Sequence, residues 1–180
     1  MLSGPPHHHM EAAMIQKRLT EFLDSHHIKY VHIHHSPAFT AREVAVSAHL
    51  PFREVAKTVV LATHGVYFFA VLPASEMIDL PLLRELIEQP DLRLASESEL
   101  NALFPECEVG AMPPFGNLFG MDVIVSPPLT EDEEIAFNAG SHRDMVRMSY
   151  ADYERLIDPK VLPFSTPRQA RENLFAKGLS

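Results

Sequence analysis

The beginning of the chain carries a helical pattern followed by a strand pattern. Over residues 11–26, apolar side chains recur at helical spacing with charged residues between them: Met14, Leu19, Phe22 and Leu23. In residues 28–35, IKYVHIHH, the side chains then form two alternating sets, as on the two faces of a β-strand. Because Ser36-Pro37 ends the alternation, we predict one long amphipathic helix that leads into a strand.

Four shorter helices are predicted to begin after polar N-cap residues: Thr40, Asp79, Ser96 and Ser149. Thr40 and Ser96 are each followed three residues later by a glutamate, which is the spacing of a capping box. Pro81 falls in the first turn of the second helix, where an N–H group would have no hydrogen-bond partner inside the helix. Asp158-Pro159 ends the last helix of this set.

Six further β-rich runs predict strands at 57–63, 66–72, 92–95, 121–126, 135–140 and 144–149. His64-Gly65 between the first two favours a hairpin. Strands and helices intermix without a strict βαβ alternation. We therefore predict an α+β fold in which helices surround a curved mixed sheet or partial barrel.

The length of 180 residues and the hydrophobic content of 46% fit one packed domain. We predict a flexible leader at residues 1–10, whose three histidines could be an expression remnant, and a domain at 11–158. A C-terminal extension at 159–180 follows, with an extended Pro-containing connector and a short helix over 168–178, RQARENLFAKG.

Charge and cysteine content limit the classes of function. The net charge of −9 argues against broad electrostatic binding of nucleic acid, so no DNA partner is expected, although a local basic patch remains compatible with it. Cys107 is the only cysteine, which excludes an internal disulfide framework and favours the cytoplasm. No apolar run approaches the ~20 residues that a membrane span needs.

Lys57 stands at the start of an apolar strand, at a sheet end where loops gather and pockets form. Its ammonium group is a point charge with three donors and is suited to a phosphate. The alternative is a lysine whose stem covers apolar surface while its charge reaches water.

Residues 106–120, ECEVGAMPPFGNLFG, form a rigid loop with almost no charge. Gly110 and Gly116 permit a positive φ or a close approach, and the two prolines between them fix the backbone. Such a loop can aim N–H groups at a carbonyl oxygen that becomes negative during acyl transfer, with Met112 and Phe115 as apolar walls. A tight helix-to-strand connector is the alternative.

The other candidate chemical groups give weaker signals. Ser141 and His142 are sequence neighbours, which is poor geometry for a nucleophile and its base, so we predict no Ser-His hydrolase. They could simply satisfy the backbone of a turn. His32 and His34 would share one face of a strand, but a third and a fourth ligand are missing, and we predict no metal site and no cofactor. Phosphate-binding loops of the common nucleotide classes are also lacking.

Seven segments in order carry a resemblance to a known family: HSPAFTAREVA (35–45), VAKTVVL (55–61), VYFFAVLPAS (66–75), IDLPLL (78–83), LRLASESEL (92–100), VGAMPPFG (109–116) and IAFNAGSHRDMVRMSYADYERL (135–156). The set resembles the YbaK/ProX family of aminoacyl-tRNA deacylases, which includes the editing insertion of bacterial prolyl-tRNA synthetases. The resemblance covers nearly all of residues 11–158.

The resemblance implies that the protein hydrolyses the ester joining a wrong amino acid to tRNA, often a smaller residue on proline tRNA. It implies that Lys57 engages the phosphate of the terminal adenosine, while the GxxxP loop, with Gly110 and Pro114, holds the aminoacyl carbonyl. These three residues form the expected catalytic set. The expected substrate-binding residues are Thr58, Met112, Phe115, Gly116, Asn138, Gly140, Ser141 and His142.

The implied mechanism needs no protein nucleophile, because attack is by water or is assisted by a ribose hydroxyl of the tRNA. Positioning and electrostatics would supply the catalysis, and pocket size would select the amino acid. The expected partners are the acceptor end of a mischarged tRNA and prolyl-tRNA synthetase. Pro113 beside Pro114 departs from the family pattern and would stiffen the loop and narrow the pocket.

Two other functions stay open at this point, a non-catalytic module that binds a tRNA end or a nucleotide, and a histidine-based metal-binding protein. The segment 160–180 falls outside the resemblance and could be a swapped dimer arm or a helix packed on the domain. It is the most basic part of the chain, with four cations against Glu172. We expect it to help the approach to the acceptor end.

Overall fold

The computed structural model describes residues 7–168 and, within them, the side chains of all residues outside 7–11 and 41. Its α-helices are α1 (His7–Ser25), α2 (Ala41–Ser47), α3 (Leu80–Leu86), α4 (Glu97–Leu103) and α5 (Tyr150–Ile157). All five predicted helices of the domain are confirmed. The first begins at His7, inside the segment expected to be a leader, and the helix expected from 168 onward lies outside the described residues except for its first position.

The strands are β1 (Tyr30–His34), β2 (Ala56–Thr63), β3 (Val66–Pro73), β4 (Glu76–Ile78), β5 (Arg93–Leu94), β6 (Val123–Val125), β7 (Glu134–Asn138), β8 (Asp144–Ser149), β9 (Lys160–Val161) and β10 (Ser165–Pro167). The seven predicted strands are confirmed. The three that the sequence did not predict, β4, β9 and β10, have only two or three residues, which is too few for an alternation to be recognised.

The largest sheet has the strand order β5-β2-β3-β6-β9. Strands β2 and β3 form an antiparallel hairpin that turns at His64-Gly65, where both residues have positive φ. Strand β6 pairs in parallel with β3 and with β9, so the sheet is mixed. The hairpin and the mixed character are therefore as predicted.

A second sheet has the order β1-β8-β7, and a β-bridge between Val55 and Ala136 joins it to the start of β2. Strands β10 and β4 form a third, two-stranded sheet. The α+β class is confirmed. Within residues 7–168 the strands form connected sheets and do not close into a barrel.

Both predicted capping boxes are present. The Glu43 amide donates to Thr40 Oγ1 at 3.2 Å, and the Thr40 amide donates to the Glu43 carboxylate at 2.9 Å. Ser96 and Glu99 make the same pair of bonds at the start of α4. These bonds satisfy N–H groups that have no partner inside the helix, and they fix where each helix begins.

The main core lies between α1, α5 and the sheets and is rich in aromatic rings. The Phe115 ring packs 5.5 Å from the rings of Phe137 and Tyr153, measured between centroids. The Tyr153 hydroxyl donates to the Pro114 carbonyl at 2.9 Å. The proline-containing loop is therefore anchored in the core, which keeps its glycine end in a fixed place.

Residues 160–168, which we call the C-terminal strap, pack onto the domain. Their strands β9 and β10 pair with β6 and β4, and Phe164 between them is fully buried. The Asp79 amide donates to the Phe164 carbonyl at 2.8 Å. The strap is thus held by the sheet and by the core rather than being a simple connector. Among residues 7–168, no helix has the length and apolar character required to cross a membrane.

Candidate active site

A cavity of about 570 Å³ lies where β2, α2, the Gly110 turn and the strap meet. Four of the predicted site residues line it: Lys57, Thr58, Gly110 and Asn138. The lysine at the strand start and the glycine of the rigid loop therefore share one cavity. Apolar side chains complete the walls, among them Phe39, Val44, Phe52 and Val55.

Lys57 is half-buried at the start of β2, and its Nζ donates to the Glu76 carbonyl at 2.5 Å. The pKa of Lys57 is lowered from 10.5 to about 8, chiefly by burial and also by the positive charge of Arg168, while Glu76 acts in the opposite direction. The ammonium is thus held by one backbone oxygen and remains mostly protonated at neutral pH, with donors left for a ligand.

The cavity has a strongly positive lining in an acidic chain. Arg42, Lys57 and Arg168 all line it, and no aspartate or glutamate does so among the described residues. Neither arginine has an ion-pair partner within residues 7–168. Three cations thus line a cavity that no described acid lines, in a chain with a net charge of −9, and this lining is suited to an anion.

Thr58 and Asn138, which line this cavity, each have a buried side-chain oxygen without a hydrogen-bond partner among the described residues, Thr58 Oγ1 and Asn138 Oδ1. A buried polar group without a partner costs about 1–3 kcal/mol, so such atoms in a cavity favour a polar ligand that satisfies them. The Gly110 N–H also lacks a partner within the described range, which leaves it available as a donor.

The Gly110 turn is tied to a second turn, at 139–142. The Glu108 amide donates to the Gly140 carbonyl and the Gly140 amide donates to the Ala111 carbonyl, both at 2.9 Å. Gly110 has φ of +84° and Gly140 has φ of +100°. A Cβ at Gly140 would collide with the Ile15 side chain of α1. Glycine is required there by both the backbone conformation and the close approach of α1.

Four predicted residues of the loop do not line the cavity and instead support it. Met112 is 4% exposed and Phe115 is fully buried, and both belong to the core. Gly116 is buried where a Cβ would collide with the Met121 backbone, and the Pro114 carbonyl is occupied by Tyr153. The expectation that Met112 and Phe115 form pocket walls is therefore corrected, because a loop anchored in the core turns its apolar side chains inward.

The predicted absence of a Ser-His pair agrees with the local bonding. Ser141 donates to Asp144 Oδ2 at 2.6 Å and accepts backbone N–H bonds from Arg143 and Asp144. The His142 Nε2–H donates to the Val109 carbonyl at 2.9 Å. Ser141 and His142 are thus turn residues outside the cavity, as is Gly140. Burial raises the pKa of Cys107 to about 12, so the thiol is protonated and is a poor nucleophile.

His32 and His34 share one face, as predicted, and both imidazoles contact Asp144, at 3.2 and 2.9 Å. Among the described residues, no group of three or more potential ligands is arranged to hold a metal ion. Another cavity, of about 580 Å³, lies along β3, β6 and β9. Its lining mixes Asp122 and Asp158 with Lys160 and contains none of the predicted site residues.

The lining residues that the sequence did not predict include Phe39, Arg42, Phe52 and Arg168. The first two lie within HSPAFTAREVA, one of the segments that carry the family resemblance, so a signal for them existed. For Arg168 the only signal was the basic character of the C-terminal extension, because its approach to Lys57 depends on the pairing of β10 with β4.

Comparison with known proteins identifies the family of the chain. A sequence model of the aminoacyl-tRNA editing domain matches residues 35–156, more than half of the chain. The multifunctional Ser/Thr-tRNA deacylase ProXp-y of Escherichia coli (strain K12) is 35% identical over 99 residues, which is 54% of this chain and 59% of that protein. The chain thus spans about three fifths of the length of this curated relative.

Solved structures share the fold. The hypothetical protein APE2540 superposes with a TM-score of 0.75 at 19% identity, covering 83% of this chain and 99% of that chain. A candidate trans-editing enzyme for prolyl-tRNA synthetase superposes with a TM-score of 0.73 at 20% identity, covering 91% of this chain and 99% of that one. With its editing-domain match across residues 35–156, the chain belongs to the aminoacyl-tRNA editing domain family.

Proposed function

We propose that the protein hydrolyses mischarged aminoacyl-tRNA in trans, with the aminoacylated terminal adenosine bound in the cavity that Lys57 and Gly110 share. The observation that carries this proposal is the lining of three cations and no described acid, beside two unsatisfied buried polar atoms. Membership of the editing-domain family and the deacylase activity in the name of ProXp-y support it.

The phosphate of the terminal adenosine would be held by Lys57, with Arg42 and Arg168 adding charge at the rim. Charge-assisted hydrogen bonds to phosphate are about twice as strong as neutral ones. The apolar side chains Phe52 and Val55 offer surface for the adenine. This division gives the cavity one end for the phosphate and apolar walls for the nucleoside.

The ester would lie near Gly110, whose free N–H can stabilise the negative carbonyl oxygen. Water adds to the ester carbonyl, the ribose oxygen leaves with a proton, and the products are the free amino acid and uncharged tRNA. The proposed reaction uses water, and no protein side chain, as the nucleophile. Catalysis would come from positioning and from the electrostatic field of the cavity.

The unsatisfied atoms suggest how the amino acid is held. Asn138 Oδ1 can accept a hydrogen bond from the α-ammonium group, and Thr58 Oγ1 can bond a polar side chain. A site that bonds a substrate hydroxyl strongly rejects an amino acid that lacks this hydroxyl. An apolar pocket rejects an amino acid that lacks one methylene much less, because the difference in binding free energy is only ~1–3 kcal/mol. We therefore propose that the substrates are proline tRNAs that carry a small amino acid, and that alanine, serine and threonine are the first to test.

The test is a deacylation panel in which proline tRNA carries Ala, Ser, Thr or Pro. We expect the protein to release at least one of the smaller residues and to spare Pro. Lys57→Ala should lower kcat/KM at least ~100-fold, the scale of losing one key electrostatic contact. Lys160→Ala, at an exposed lysine of the other cavity, should stay close to wild type.

Thermal unfolding of both variants controls for folding. Hydrolysis of none of the four substrates, alone or with prolyl-tRNA synthetase added, would refute the enzymatic function. Binding of the tRNA without turnover would instead support a binding module. Full activity of Lys57→Ala would refute the role of the lysine while leaving the activity in place.

A further inference from the structure

A cavity of about 450 Å³, which we call the second cavity, adjoins the Lys57–Gly110 cavity, which we call the first cavity. Phe39 lines both cavities and is the wall between them. Arg42 lines the first cavity, where it would add charge for the phosphate of the terminal adenosine, and it follows Phe39 by three positions. The preceding nucleotide is attached through this phosphate, so it can pass Phe39 into the second cavity.

The Phe39 ring is placed to contact a ligand rather than the core. It is 73% exposed and is the one aromatic ring among the exposed large apolar residues of the described side chains. Its centroid lies 5.0 Å from that of His142. The Phe39 amide donates to the Glu43 carboxylate at 3.1 Å, and the preceding Ala38 amide donates to the His142 carbonyl. The ring thus projects from a fixed backbone.

Two polar side chains of the second cavity are unoccupied. The Asn101 amide and the Arg143 guanidinium both line it, and neither side chain has a hydrogen-bond or ion-pair partner within residues 7–168. An amide can bond the edge of a base, and an arginine can bond a phosphate. An aromatic face with such groups beside it is the usual arrangement for a single-stranded nucleotide.

We propose that the second cavity binds the nucleotide that precedes the terminal adenosine, with its base stacked on Phe39 and its polar groups facing Asn101 and Arg143. This inference rests on the proposed function, since it extends the tRNA path by one residue. A protein partner fits the site less well, because a lining that mixes one exposed ring with Asn101, Glu108 and Arg143 is not a contiguous apolar patch.

The test compares three ligands that differ only at this position: adenosine 5′-monophosphate, the dinucleotide pCpA, and the same dinucleotide without the cytosine base. The abasic form keeps the extra phosphate, so it separates stacking from charge. We expect wild-type protein to bind pCpA about fivefold or more tightly than the abasic form, the smallest gain from stacking one base.

In Phe39→Ala this ratio should fall to about one, and Phe39→Tyr should restore it because the ring is retained. Val66→Ala, which removes another exposed apolar side chain, should keep the wild-type ratio. Equal binding of pCpA and the abasic form by wild type, or a ratio unchanged in Phe39→Ala, would overturn the inference. Failure of all three ligands to bind would refute the proposed function itself, whereas adenosine monophosphate binding without a gain from cytosine would refute only the second site.

Discussion

At the scale of single residues, the chemistry of Lys57 is set by the groups around it. Burial and the charge of Arg168 lower its pKa to about 8, and Glu76 limits the shift. Because the pKa in the folded state lies below the ordinary value of 10.5, the unfolded chain binds more protons between these two values. The free energy of unfolding is therefore expected to rise with pH from about 8 to 10.5 through this group.

The same pKa predicts the pH dependence of ligand binding. The affinity for adenosine 5′-monophosphate should fall by about half between pH 7 and 8, and by up to about tenfold per pH unit above that, as Lys57 loses its proton. The nucleotide phosphate is already fully charged in this range, since its second pKa is about 6. Calorimetric titration measures the effect, and Lys57→Met should remove the pH dependence. A flat profile for wild type would contradict the role of the ammonium.

Arg168→Ala should move this transition to higher pH, because removing a nearby positive charge raises the pKa of Lys57. It should also weaken nucleotide binding below the transition, since one cation of the cavity is lost. Arg155→Ala is the matched control, because Arg155 is exposed on α5 and pairs with Asp152 away from the cavity. An unchanged transition in Arg168→Ala would show that the strap does not act on Lys57.

At the scale of elements, the cap of α2 controls one wall of the cavity. Thr40 caps this helix and, with Arg42 and Val44, lines the cavity. Thr40→Ala should lower the free energy of unfolding by about 1 kcal/mol and weaken binding of adenosine 5′-monophosphate. Ser96→Ala removes an identical capping box from α4, so it should lower stability equally and leave binding unchanged. Equal effects of both variants on binding would contradict this account of α2.

A second prediction concerns the contact between α1 and the 139–142 turn. Gly140→Ala should lower the free energy of unfolding by about 1–3 kcal/mol through the positive φ alone, and by more because the new methyl group meets Ile15. Gly65→Ala is the control, since its φ is also positive but nothing lies within 4 Å of the new Cβ. Denaturant unfolding should show a clearly larger loss for Gly140→Ala, and equal losses would contradict the close packing.

At the scale of the whole molecule, local signals predicted more than long-range ones. Thr40–Glu43 and Ser96–Glu99 were predictable because a capping box is complete within four residues. The Lys57–Gly110 cavity followed from a strand start and a rigid loop, together with the family resemblance. These features depend on short stretches of sequence whose conformations are restricted by their own residues.

Other features depend on contacts that no short stretch encodes. Met112 and Phe115 were predicted as pocket walls because an apolar residue in a loop fits a ligand and a core equally well from its sequence alone. The contribution of Arg168 required the pairing of β10 with β4, two strands about ninety positions apart. The sequence-based expectations therefore located the cavity but not its full lining.

The most direct test asks whether the Lys57–Gly110 cavity holds the aminoacylated adenosine. An amide analogue of aminoacyl-adenosine 5′-phosphate, which cannot be hydrolysed, can be titrated into isotope-labelled protein and followed by NMR. We expect the largest chemical-shift changes at Thr58, Gly110 and Asn138. Changes centred instead on Phe68, Met121 and Ile124 of the other cavity, with the Gly110 signal unmoved, would contradict this expectation.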